Sequence, residues 1–226
     1  MRLPTPVRIG LESAKANAVP MVVLWGAAVS LVAAYHFVPS VAAALGTLAN
    51  WQSAHRLVGS MASRVVFCGL IPGVFLLCLT SIRPKRPVLT VLATTLWNVA
   101  WAVPFDGFFR LQAALFGEGN SFSTLLCKLS VDQFVWTVFL VAPANAVFFR
   151  WEGSDFSPAS LRMADLCRDW RKVYLPNLIA NWCIWIPVVL VIYAFPTDLQ
   201  IHVSGLVGSF WILLCLALGN RAADVQ

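Results

Sequence analysis

Apolar residues in this chain run in long unbroken stretches instead of alternating in twos. Six stretches are long enough to cross a bilayer, near 18–38, 61–80, 87–104, 129–149, 175–195 and 201–219. About 20 apolar residues in a helix span the hydrocarbon core. No water is present there to satisfy backbone polar groups, so only helices or a closed barrel can cross. Continuous apolarity excludes the barrel, whose strands alternate. The pattern predicts an all-α integral membrane helical bundle of about six transmembrane helices, forming one domain over 18–219. A basic segment precedes it at 1–17 and a short tail follows at 220–226.

Two other stretches read as helices lying in the membrane interface. The segment 105–116, FDGFFRLQAALF, sets Asp106, Arg110 and Gln112 among large apolar groups, which predicts an amphipathic helix. The Ala-rich stretch 40–50 after Pro39 reads the same way. The first span follows Arg2, Arg8 and Lys15, as the core of a signal peptide follows its basic front, but its apolar run is too long for one. It therefore reads as a retained anchor, and an import presequence has only those few cations to support it. WNVAW at 97–101 and NWCIW at 181–185 are alike in composition, and aromatic packing accounts for them better than an internal repeat.

Composition agrees with lipid as the main solvent. Of 226 residues, 59% are hydrophobic and 12% charged, about half the charged share of a soluble domain. The net charge of +6 sits in short loops and forms no basic face interleaved with aromatics, which excludes a nucleic-acid partner. Those loop charges predict orientation instead. With the N-terminus inside, the inner segments hold Arg2, Arg8 and Lys15; Arg83, Lys85 and Arg86; Arg150, Arg162, Arg168, Arg171 and Lys172; and Arg221. The outer loops hold only Arg56 and Arg110. Twelve against two follows the positive-inside rule and predicts both termini on the cytoplasmic side. A bacterial inner membrane is the expected location. The cysteines (Cys68, Cys78, Cys127, Cys167, Cys183, Cys215) form no Cys-x-x-Cys pair and mostly sit in apolar runs, so they read as packing residues.

Polar groups at span depth are where function is expected, since each is costly unless paired. Arg64, Lys128 and Asp132 qualify. Arg64 and Asp132 fall at similar depth near the outer boundary, so an ion pair is expected there. Lys128 and Asp132 are four apart on one helical face. Asn98 can join that layer, and Gln133 adjoins it. The plainer alternative has Arg64 and Lys128 snorkelling to the interface with Asp132 neutralising them. That alternative suits Lys128 on its own, whereas Asp132 reads as part of a buried polar site. In the fifth span Asn177, Asn181 and Trp185 form a stripe flanked by Trp182, and Pro187 interrupts the helix. Asn181 either bonds to a neighbouring helix or lines one path with Asp132. Gly205, Gly208 and Ser204 give the last span a small-residue packing face. His36, His55 and His202 are isolated, and no nucleophile motif or phosphate loop is present. No enzyme, cofactor or metal is expected.

KLSVDQ, Lys128 to Gln133, resembles the Lys-x-x-x-Asp-Gln entry of one helix in the Mpv-seventeen family, which includes the peroxisomal membrane protein of twenty-two kilodaltons. The C-terminal part is similar to the family's order of aromatics and prolines, at Trp170, Tyr174, Pro176, Asn181, Trp182, Trp185, Pro187, Tyr193, Pro196 and Trp211. The resemblance covers roughly 60–216 and has departures. Ile186 separates Trp185 from Pro187, and Val189 stands at the family's Gln. Ile192 and Tyr193 stand at its Asn-Phe pair, and Phe108 follows Gly107 in place of Pro. Near Gln200 the family's basic residue is missing, and Leu214, Cys215 and Leu216 replace its Tyr-Leu-Ser. The resemblance implies a small mitochondrial-inner or peroxisomal membrane protein, usually drawn with four spans, and some members behave as weakly selective channels. Read together, the residues and the resemblance predict a low-selectivity channel or transporter for small polar solutes. The rival is a non-transporting scaffold. The partners expected are the lipid bilayer and a small polar solute, and the path lies within one subunit or between subunits of a homo-oligomer.

Overall fold

The computed structural model describes residues 5–78 and 84–223, the side chains of 5, 6, 13, 16, 163–173 and 214–223 excepted. Among these residues the chain is helical and contains no strand. In chain order the helices are α1 (Thr5–Ala16), α2 (Ala18–Phe37), α3 (Pro39–Ala54), α4 (Arg56–Cys78), α5 (Pro87–Phe116), α6 (Phe122–Gly153), α7 (Met163–Tyr193) and α8 (Thr197–Ala223). A single 3-10 turn, Pro158–Leu161, lies before α7.

Local chemistry sets several of the breaks. Val38 is extended, as a residue preceding proline tends to be, and Pro39 opens α3 where a missing N–H costs nothing. Pro87 starts α5 in the same way. That helix stops at Gly117, whose φ of +83° suits a residue without Cβ. Ser121 then caps α6, its Oγ accepting from the Thr124 N–H at 3.3 Å.

Five helices are long and apolar enough to cross a membrane: α2, α4, α5, α6 and the Tyr174–Tyr193 part of α7. The sixth expected span lies in α8, whose side chains from 214 onward are outside the described residues. The outer surface of the bundle is apolar, with Val19, Val29, Leu96 and Phe139 more than half exposed. Lipid is the solvent that such a surface requires. The protein is thus a multi-pass membrane bundle.

One expectation needs correction. The segment 105–116 is no separate interfacial helix, because α5 runs unbroken through Pro104 to Phe116. Asp106, Phe108, Phe109 and Gln112 are buried inside the bundle, and their polar groups find partners there, so no interface is needed to solvate them. The basic N-terminal segment is a helix as well, and α1 lies along α7, where a Cβ on Gly10 would meet the Pro176 carbonyl at 2.8 Å. Of the cations that set the expected orientation, Arg2 and Arg83 lie outside the described residues. The side chains of Arg168, Arg171, Lys172 and Arg221 do so too, as do those of Cys167, Trp170 and Cys215.

The core gathers Leu24, Phe108, Phe109, Leu129, Ile184, Val188, Ile192, Tyr193 and Leu199 from α2, α5, α6, α7 and α8. Trp25 ties the first span to α7 by donating to the Ile184 carbonyl at 3.0 Å. That acceptor is one residue beyond the carbonyl left without a helical donor by Pro187. Helices α4 and α5 approach closely at Gly69 and Gly73, where an added Cβ would strike Thr95 and Val91 at 2.6 and 2.7 Å. This is small-residue packing at four-residue spacing.

Candidate functional site

Two helices of the bundle leave regular α geometry, and both do so at polar side chains. Val65–Leu70 in α4 and Asp132–Val141 in α6 are π-helical. Such wide turns re-aim side chains and occur often at functional sites. Between α4, α5, α6, α7 and α8 lies a cavity of about 820 Å³. Arg64, Cys68, Asn98, Asp132, Gln133, Asn181 and Ser204 supply polar groups to its wall, and Trp97, Trp101, Phe105, Phe109, Trp185 and Trp211 supply aromatic ones. It extends to Pro84, Thr90, Phe149 and Glu152, which also border a smaller pocket beside Lys85, Arg86 and Asp155. There Arg86 pairs with Asp155 at 3.3 Å.

Five of the six sequence candidates, Arg64, Asn98, Asp132, Gln133 and Asn181, thus face one space. Lys128 does not line it, nor do Trp182 and Pro187. The Arg64–Asp132 ion pair does not form; the salt bridges among the described residues lie elsewhere. Each partner is held by other groups. The Arg64 Nη1 donates over 3.7 Å to Cys68 Sγ and Nη2 over 3.3 Å to Ser204 Oγ, with the guanidinium 4.8 Å over the Phe105 ring. Asp132 accepts from the Tyr193 hydroxyl at 2.7 Å and from Gln133 Nε2 at 2.7 Å.

Lys128 neither snorkels nor pairs with Asp132. It is 1% exposed, with Nζ 5.7 Å from the centre of the Tyr193 ring. The Asp132 N–H still bonds to the Lys128 carbonyl, so the two lie one regular turn apart, and it is the separate partners of their side chains that keep them from pairing. Asn98 lies mid-helix and donates back to the Thr94 carbonyl one turn earlier at 2.9 Å. In α7 the expected stripe divides: Asn177 is exposed, while Asn181 and Trp185 are half-buried at the cavity. Trp182 turns the other way, donating to the Gln133 carbonyl at 3.0 Å and resting on Phe134. The α7 helix continues through Pro187.

The sequence reading missed what supports Asp132. Gln112 Nε2 donates to the Lys128 carbonyl at 2.9 Å and to the Tyr193 oxygen at 3.1 Å, and Tyr193 in turn donates to Asp132. A helix-period reading of 105–116 as one continuous element with α5 would have turned Gln112 inward. A second buried cluster was missed entirely. Asp106 accepts from Arg110 Nε at 3.1 Å and lies 3.7 Å from Arg56, and Arg110 also holds Asp198 at 2.6 Å. Beside it Gln52 donates to Ser60 at 2.8 Å and meets His202 Nε2 at 3.1 Å. His202 looked isolated only because its partner stands 150 residues away in the chain.

No curated protein and no solved structure matches the chain significantly. Residues 160–214, which take in all of α7 and the first part of α8, match the model of the Mpv17 / PMP22 family. That stretch holds Asn181, Trp182, Trp185, Pro187, Tyr193 and Trp211 of the order read in the sequence, and over these residues the chain is similar to the Mpv17 / PMP22 family.

Proposed function

We propose that this protein is a low-selectivity channel or transporter that lets small polar solutes cross its membrane. The observation that carries this reading is the cavity of about 820 Å³ inside an apolar-surfaced bundle, with Asn98, Asp132, Gln133 and Asn181 directed to it. Neutral amides can exchange hydrogen bonds with a passing solute, as pore linings do. Asp132 fixes the local field and is itself held by Tyr193 and Gln133. The aromatic wall keeps the rest of the path narrow and slippery to apolar surface. On this reading the protein does no covalent chemistry, needs no cofactor, and works alone or as a homo-oligomer. The expected location is a bacterial inner membrane with both termini cytoplasmic, the alternatives being the mitochondrial inner and peroxisomal membranes.

The test is release of glycerol and of small ions from liposomes carrying the purified protein, alongside Asp132→Asn and Asn181→Ala. Flux changed severalfold by both substitutions, at equal insertion, is the expected result. Folded and inserted protein that releases nothing would refute transport. The Asp106–Arg110–Asp198 network favours the scaffold reading in that event, because it fixes the register of α5 and α8 with no solute involved.

A further inference from the structure

Among the described residues, the one cation in the cavity wall is paired with no carboxylate. Arg64 is 7% exposed, its Nε is buried without a hydrogen-bond partner, and it lines the cavity wall. Its two terminal contacts, to Cys68 and Ser204, are long and involve neutral groups. A guanidinium carries five N–H donors in a planar fork, so most of its capacity is unused. Phe105 covers one face of the plane but offers nothing to the edge where the donors point. A buried cation in this state is expensive within a membrane and marks a functional position. The missing component is an anion.

We infer that the cavity binds a small monocarboxylate with an apolar body, its carboxylate on Arg64. This deepens the proposed function by naming a solute class for the same space. Carboxylate and guanidinium match as two parallel N–H···O bonds, the strongest neutral-pH pairing available to a side chain. The charge count limits the ligand to one negative charge. Asp132 and Glu152 line the same cavity, and a dianion would meet both. The rest of the ligand meets aromatic walls at Trp101, Phe109 and Trp185. Asp132 does not replace the ligand, because Tyr193 and Gln133 occupy its oxygens and no ion pair joins it to Arg64.

The test is binding to the full chain in lipid nanodiscs, read as a melting-temperature shift and by calorimetry. Benzoate is the probe, and benzamide is its uncharged isostere. Benzoate should bind saturably, benzamide at least about tenfold more weakly, and Arg64→Gln should weaken benzoate by at least about tenfold. Arg64→Lys keeps the charge without the fork and should retain part of the affinity. If Arg64→Gln does not fold, Arg64→Lys and the benzoate–benzamide comparison decide the matter. Equal binding of the two probes, unchanged benzoate affinity in Arg64→Gln, or inorganic phosphate binding as tightly as benzoate would overturn the inference. Glycerol release without benzoate binding would sink the anion site alone. Benzoate binding without any flux would support the site and refute transport.

Discussion

At one end of α5, Asp106 is surrounded by Arg56, Arg110 and Gln52, and Arg110 passes on to Asp198 of α8. Elsewhere between α4, α5 and α8, Arg64 rests on Phe105 with an unpartnered Nε and only neutral contacts. The two clusters draw on the same three helices, yet one is saturated with opposite charge and the other is not. A saturated network has nothing left to offer a solute and holds helices in place. An unsaturated cation beside a cavity is held by its surroundings while its hydrogen-bonding capacity stays open. The difference separates a structural cluster from a binding one more reliably than burial, since Asp106 and Arg64 are almost equally buried.

Substitutions can break this comparison, and the largest effect is expected in the saturated cluster. Asp106→Ala removes the buried carboxylate that accepts from Arg110 and Gln52 and faces Arg56, while Arg110 keeps Asp198, so it should cost about 2–3 kcal/mol in reversible unfolding in mixed micelles. A loss below about 1 kcal/mol would mean the network does not hold the bundle. Tyr193→Phe leaves one Asp132 oxygen without its donor and should cost about 1–2 kcal/mol by the same measurement. Trp97→Phe removes the 3.0 Å bond to Asn145 but keeps the stack on Phe148, with about 1 kcal/mol expected. Arg64→Met should lie within about 0.5 kcal/mol of the parent or be stabilising, because no carboxylate loses a partner. A cost of several kcal/mol there would place Arg64 with the structural cluster.

The transmembrane elements were legible because lipid imposes a single length scale and a single composition on every span. Which polar groups share a cavity was partly legible too. Arg64, Asn98, Asp132, Gln133 and Asn181 stand out against apolar runs, and depth alone brings them near one another. Their partners did not stand out. Depth could not show that Asp132 is held by Tyr193 and not by Arg64, for that depends on helix rotation. The π-helical stretch beginning at Asp132 shifts the facing of the residues after it, and no periodicity count registers such a shift. Asp106 and Arg110 were misplaced for a different reason. A short run of charges next to Pro104 looks like an interface until its partners, Arg56 and Asp198, come in from distant segments.

The π stretch of α6 also makes that helix a rotary joint with one residue of slack. A ring closed by an i→i+5 bond contains one residue more than an α turn, and a helix advances about 100° per residue. Removing a single residue between 133 and 141 would let the rings close as α and keep the downstream segment roughly in phase, whereas the same deletion in regular α-helix would swing everything beyond it by about 100°. Asn145 would then keep Trp97 and Glu152 would stay at the cavity wall, with Lys128 and Gln112 also in place. The facing of the two ends of α6 therefore tolerates the loss of one residue within this stretch and not elsewhere in the helix.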